Sequence, residues 1–307
     1  MTSMEKIRIK DIQAGDLRAL TRAISYVENE RGPYRQLLES LPFSDKKIIG
    51  ITGPPGAGKS TLVNSILRQW VGEKKTVGVL CVDPSSPFRG GALLGDRIRM
   101  NEWVNHPSVF IRSLATRGSL GGLNPRIIGI TDLMKAAAFD HIIIETVGVG
   151  QNEIEIAGLA DVTVVVLVPE AGDDIQTMKA GLMEIADIFV VNKADRPDAD
   201  RFVRDLQQLS IPLSHQRGKD LPVIRTIASE NEGVSALLEK IQEQLQTRDK
   251  IEEKTWLLAE KAYQLISHQR MQNIDKDELI RAIRRQLEEG KFNLYSFVSD
   301  FSDFHQR

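Results

Sequence analysis

Residues 50–62 read GITGPPGAGKSTL, and no other stretch constrains the chain as tightly. An apolar run over 47–52 leads in, and a helix-like stretch from Leu62 leads out. Between them Gly53-Pro54-Pro55-Gly56-Ala57-Gly58-Lys59-Ser60 fills every required position of the P-loop pattern, in its required context of strand, loop and helix. Glycines let successive backbone N–H groups turn inward around phosphates, and the following helix adds its positive N-terminal end. Lys59 is expected at the β- and γ-phosphate oxygens. Ser60 is expected at Mg²⁺, and Thr61 at the α-phosphate.

From 46 to 246 the chain alternates two kinds of segment. Short Val/Ile-rich runs occur at 47–52, 76–82, 108–112, 141–145, 162–168, 188–192 and 223–227. Candidate helices fall at 59–70, 95–104, 124–138, 152–160, 175–186, 199–209 and 234–246. Several runs are apolar at consecutive positions, as strands covered on both faces should be. The expected fold is therefore α/β: a P-loop nucleotide-binding domain with a mostly parallel central sheet and helices on both faces. In such sheets ligands bind at the carboxyl ends of the strands. The flanks read as helical arms, with Leu17, Leu20, Ile24 and Val27 at helical spacing in the first and Gly290 a plausible helix stop in the second. This divides the chain into an N-terminal arm, 1–44, a nucleotide-binding domain, 45–247, and a C-terminal arm, 248–307. The arms either pack on the central domain or form a dimer or partner surface.

The base should be guanine. The run at 188–191 ends in Asn192-Lys193-Ala194-Asp195, the N-K-x-D pattern of GTP-binding proteins. An ionised Asp195 can accept from both the ring N–H and the exocyclic amine of guanine, and adenine offers no such pair. A site built around such bonds can reject the wrong ligand by ~10⁴-fold. The Lys193 stem can cover the base, and Asn192 can tie its loop to the P-loop. Thr226-Ile227-Ala228-Ser229 follows the last strand, where a G-protein loop offers backbone N–H to guanine O6, so Ala228 and Ser229 join the nucleotide set.

Acidic residues complete the picture. Asp83 closes a strand, where a carboxylate can hold Mg²⁺ directly or through water. Asp96 by position alone is a first-turn acid at a helix N-terminus. Glu145-Thr146-Val147-Gly148 stands where G proteins usually carry D-x-x-G, with Gly148 placed to sense the γ-phosphate. The glutamate is one methylene longer, so its reach to the metal must differ. Gln151 could orient water, and Arg89, Arg97 and Arg117 are candidates for a charge-stabilising arginine. Residues 112–124 read as a Gly-rich loop with two arginines, and a second loop follows the run at 162–168.

Composition removes several classes. Forty basic and 42 acidic side chains leave a net charge of −2, so nothing points to nucleic acid or a membrane surface. No apolar stretch is long enough to cross a bilayer. The single cysteine, Cys81, sits in a strand-like run and excludes an internal disulfide. A cytoplasmic location is expected.

GITGPPGAGKST, VDPSSPFRGGALLGDRIRM, FIRSLATRGSLGGLNP, ETVGVGQNE and NKAD, in this order, resemble the MeaB/ArgK family of G-protein chaperones for B12-dependent acyl-CoA mutases. The resemblance covers roughly residues 15–250. It implies a homodimer joined through C-terminal helices, with GTP/GDP as ligand and Mg²⁺ as cofactor. It also implies coupling of GTP hydrolysis to adenosylcobalamin loading and to protection or reactivation of a mutase of the methylmalonyl-CoA type. Lys59, Asp83, Asp96, Glu145 and Gly148 correspond to its catalytic and switch residues, with Ser60, Asp83 and Glu145 toward the metal. Residues 168–179 correspond to the segment that relays nucleotide state to the mutase. The chain departs from the family over 112–118, where other members are Pro/Ser-rich. Two further readings stand beside this one: a metal-insertion GTPase of the same fold branch, which the one cysteine and five histidines disfavour, and a small-molecule kinase, for which no adenine site or acceptor pocket is visible.

Overall fold

The computed structural model describes residues 7–83, 100–103, 105–115, 125–146, 155–171, 180–218, 220–247, 251–271, 274–290 and 292–305. Seven strands lie in register with the predicted runs: β1 (Ile48–Thr52), β2 (Val77–Asp83), β3 (Val109–Ala115), β4 (His141–Thr146), β5 (Val162–Leu167), β6 (Ile188–Val191) and β7 (Val223–Arg225). They form one parallel sheet in the order β3-β2-β4-β1-β5-β6-β7. Every residue of β1, β5 and β6 is buried, which is why these runs carry apolar side chains on both faces. The chain builds outward on one side of β1 and then on the other. That reversal opens a crevice above the carboxyl ends of β1 and β4.

Among the described residues the helices are α1 (Ile9–Gln13), α2 (Leu17–Glu28), α3 (Tyr34–Glu39), α4 (Lys59–Gly72), α5 (Pro125–Ala136), α6 (Ala180–Ile185), α7 (Ala199–Arg217), α8 (Val234–Thr247), α9 (Ile251–Met271), α10 (Lys276–Glu288) and α11 (Leu294–His305). One sheet face packs Ile49, Ile51, Val79 and Ile143 against Leu62 and Ile66 of α4, and Val190 near Leu237 of α8. The alternate residues of the strands face the other way. Ile48, Leu80, Ile142 and Ile144 meet α5, while Val165, Leu167 and Phe189 meet α6 and α7.

The N-terminal helices pack on α5. Asp16 caps α2 by accepting from the backbone N–H of Arg18 and Ala19, at 2.8 and 3.0 Å. Leu20, Ile24 and Val27 of α2 are buried in the same cluster as Ile127, Ile130 and Met134 of α5. The helices meet closely at Gly129, where a β-carbon would stand 2.9 Å from Leu38 and 3.2 Å from Val27. Ion pairs close the margin, Arg112 with Glu28 at 2.6 Å and Arg126 with Glu30 at 3.0 Å.

Four local readings differ; in one, the described part of the helix expected over 95–104 is a 3₁₀ turn, Asn101–Trp103. Residues 113–115, expected in a loop, extend β3 beyond the run at 108–112, because each pairs with β2 from Ser113 opposite Cys81 to Ala115 opposite Asp83. The helix expected to stop at 209 runs through Pro212 to Arg217, since one missing N–H is tolerated while Leu213 still packs on the sheet. Where a helix was read over 152–160, the described part is a short 3₁₀ turn, Glu155–Gly158.

The chain forms two compact units, Met1–Leu258 and Ala259–Arg307. The second has little core of its own. Phe297 is its one buried apolar side chain among the described residues, flanked by the rings of Phe292 and Phe301. α10 buries no residue at all.

Candidate functional site

The site forms where β1 ends and α4 begins. A tight curl here needs glycine. Gly53, Gly56 and Gly58 take φ of +139°, +78° and +86°, a region that side-chain-bearing residues avoid. Space is as restrictive as torsion: a β-carbon on Gly53 would meet the Val166 carbonyl, and one on Gly58 the side-chain amide of Asn192. Pro54, Pro55 and Ala57 complete the curl. The buried Lys59 ammonium lies inside it and donates to the carbonyls of Gly53 at 2.7 Å and Pro54 at 2.9 Å. Ser60 and Thr61 follow in the first turn of α4.

Sheet register brings Glu145 to the curl. Its Cα is level with Ile51 of β1 and Cys81 of β2, so its side chain emerges on the face that α4 covers. The carboxylate accepts from the Ser60 hydroxyl at 2.6 Å. That bond links the end of β4 to the first turn of α4. A hydroxyl and a carboxylate converging beside a phosphate-type loop are hard oxygen donors, the set Mg²⁺ prefers. Asp83 stands at the carboxyl end of the neighbouring β2. One residue past Glu145 the side chains turn to the other face, and Thr146 shares a buried hydrogen bond with Thr52 at 2.9 Å.

A second cluster joins three loops through one side chain. Asn192 is 2% exposed and uses both ends of its amide. It donates to the Ala57 carbonyl at 2.9 Å, and accepts from the Thr226 hydroxyl and the Ala228 N–H at 3.1 Å each. Lys193 reaches back to the Gly56 carbonyl at 2.8 Å, laying its stem across the curl. Ser65, one turn further along α4, donates to the Ala228 carbonyl. Asp195 and Ser229 stay exposed at the same end of the sheet. The two clusters therefore share the curl between them.

Asp96, Gly148, Gln151, Arg89, Arg97 and Arg117 lie outside the described residues, and so does most of the segment 168–179. Arg112 holds the N-terminal helices and does not line the site. Sequence reasoning passed over Ser65. A serine inside the apolar stripe of α4, between Leu62 and Ile66, was the available signal, because a buried hydroxyl demands a partner.

Comparison with known proteins follows the same lines. A family model described as methylmalonyl-CoA mutase-associated GTPase MeaB matches residues 20–286. A protein of Pyrococcus horikoshii named as a GTPase is 47% identical over 259 residues, 82% of this chain and 80% of its own length. GTPase ArgK of Escherichia coli is 31% identical over 97% of this chain and 88% of its own. The fused isobutyryl-CoA mutase of Geobacillus kaustophilus is 35% identical over 92% of this chain, which occupies 28% of that longer protein. Among solved structures, one described as an LAO/AO transport system kinase superposes with a TM-score of 0.65. It covers 97% of this chain and 96% of its own at 23% identity, a likeness of fold.

Proposed function

The chain belongs to the MeaB family of methylmalonyl-CoA mutase-associated GTPases, and from that premise we propose that it binds and hydrolyses GTP with Mg²⁺ to assist an adenosylcobalamin-dependent acyl-CoA mutase. The observation that carries the guanine reading is the amide of Asn192. It locks the phosphate curl, the N-K-A-D loop and residues 226–229 into one frame. In that frame Asp195 takes the ring N–H and exocyclic amine of guanine, and Lys193 covers one face of the base. The loop after β7 offers backbone N–H to O6.

The phosphates lie in the curl of residues 53–58, against its N–H groups and the start of α4. Lys59 follows the β- and γ-phosphate oxygens and spreads their charge. Ser60, Glu145 and Asp83 would hold Mg²⁺, which when bound would neutralise phosphate charge. Asp96 and Gly148 act at the switch segments that sense the γ-phosphate. The relative in which a homologous segment belongs to a fused isobutyryl-CoA mutase supports an acyl-CoA mutase as partner. Its role is to load the cofactor and to protect or reactivate the mutase. The exposed apolar side chains of the C-terminal unit support a homodimer contact there.

Nucleotide binding tests the reading directly. GDP and GTP should bind at least about 10³-fold tighter than ADP and ATP at matched Mg²⁺. Asp195→Asn should transfer that preference to xanthine nucleotides. Equal affinity for ATP, or an unchanged preference in the variant, would remove Asp195 from the base site.

A further inference from the structure

The loop after β7 carries no regular strand pairing of its own beyond one bridge, Ile227 with Glu232. Within it Ala228–Glu230 form one 3₁₀ turn, and what seats that turn against the rest of the site lies outside the loop. Ala228 is held on both sides, through the peptide before it and the peptide after it. Its N–H is taken by the Asn192 side chain at 3.1 Å, and its carbonyl accepts from the hydroxyl of Ser65. All three residues are buried: Ser65 is 1% exposed, Asn192 2% and Ala228 2%. Ser65 belongs to α4, the helix that starts with Lys59 and Ser60. Its hydroxyl also lies 3.2 Å from the Thr61 carbonyl, so its rotamer is set by the helix itself.

Two consequences follow from this clamp. The Ala228 N–H is already engaged inside the protein, so the next amide, that of the exposed Ser229, is the one free to meet a base carbonyl. The direction of that amide depends on the Ala228 carbonyl, because both belong to the same peptide plane. We propose that Ser65 is a positioning residue for base recognition: anchored on the phosphate-binding helix, it orients the Ala228–Ser229 peptide so that its N–H meets the O6 position of the purine. The inference deepens the proposed function and rests on its guanine reading. It places a determinant of base binding on an element otherwise assigned to phosphate.

The chemistry makes the effect separable. Ser65→Ala removes the buried side-chain donor from the Ala228 carbonyl, leaves it only the longer 3.4 Å bond from the Asn231 N–H, and loosens the peptide. GDP and IDP both carry O6, whereas only GDP has the exocyclic amine that Asp195 would bind. Inorganic tripolyphosphate has no base. Stopped-flow dissociation of fluorescent GDP and IDP analogues, with calorimetry of tripolyphosphate and Mg²⁺, reads all three. In Ser65→Ala, GDP and IDP should leave faster by the same factor, about tenfold, the scale of one buried hydrogen bond. Tripolyphosphate affinity should hold, and Ser65→Thr, which keeps the hydroxyl, should restore slow release. Unchanged GDP release in Ser65→Ala overturns the proposal. So does an equal loss for tripolyphosphate, which would make Ser65 a structural support of the phosphate curl. Should wild-type protein release GDP and ADP at the same rate, the guanine reading itself has failed and the inference falls with it.

Discussion

Single residues at this site do work that their types allow and their neighbours direct. Lys59 is the clearest case. Its ammonium is buried in the curl and already donates to two loop carbonyls, so it is oriented before any phosphate arrives. Lys59→Ala should lower GTP hydrolysis by about a hundredfold or more, as loss of an oriented charge-stabilising donor does elsewhere, while sedimentation shows the oligomeric state unchanged. Wild-type turnover would sink the phosphate assignment. Glu145→Gln keeps the shape but removes the negative charge available to a cation. It should raise the Mg²⁺ concentration needed for half-maximal hydrolysis, measured by metal titration of the rate. At this scale much was legible in advance. P-loop and N-K-x-D residues declare themselves because their chemistry demands fixed types at fixed spacings. Ser65 and Thr52 did not, because a lone hydroxyl acquires meaning only from the group that the fold sets opposite it.

Elements obey packing more than motif. The seven strands were readable from runs of Val and Ile, since a strand buried on both faces has no other composition open to it. The extension of β3 through Ser113, Leu114 and Ala115 was not, because a run that reaches an arginine reads as ending there until Glu28 of α2 is found beside it. The crossing of α2 and α3 over α5 depends on the missing side chain at Gly129. Gly129→Val should cost about 1–3 kcal/mol by overpacking, seen as a lower denaturation midpoint with nucleotide affinity retained. A second prediction concerns the opposite end of the sheet. His141 stacks on Trp70 with ring centroids 4.0 Å apart. Burial holds its pKa below the ordinary 6.5, against a smaller opposing pull from Asp140. The folded protein therefore binds this proton less readily than the unfolded chain. The stability it contributes is complete above the unfolded value and is lost as pH falls through the folded one. Thermal stability should decline on acidification below about 6.5, and less so in His141→Phe. Asp16 and Asp140 lie in a separate window. Hydrogen bonds from Ala19 and Thr76 hold their carboxyls below 3.8, so their contributions vanish only at more acidic pH.

The whole molecule adds what neither residue nor element contains. The C-terminal unit exposes Tyr263, Ile266, Met271, Ile280, Leu287 and Tyr295, each at least half accessible. Large apolar side chains exposed in such number ordinarily mark a contact surface. Ile280→Asp with Leu287→Asp, a heptad apart on α10, should convert a dimer to monomers in sedimentation velocity; an unaltered dimer would move the interface elsewhere. Capture of a B12-dependent mutase with GTP but not GDP would identify the partner class. By itself the sequence determined the glycine-rich curl, the N-K-A-D loop, the seven strands and the α/β class, because each is a local rule of spacing or periodicity that holds whatever the rest of the chain does. Tertiary structure alone decided the strand order, the meeting of Ser60 with Glu145 across 85 residues and the joining of three loops by Asn192. It also set the clamp of Ser65 on a loop 163 residues away. Those are contacts between distant segments, and their partners are chosen by which faces must be buried together, a choice made only when the chain closes on itself.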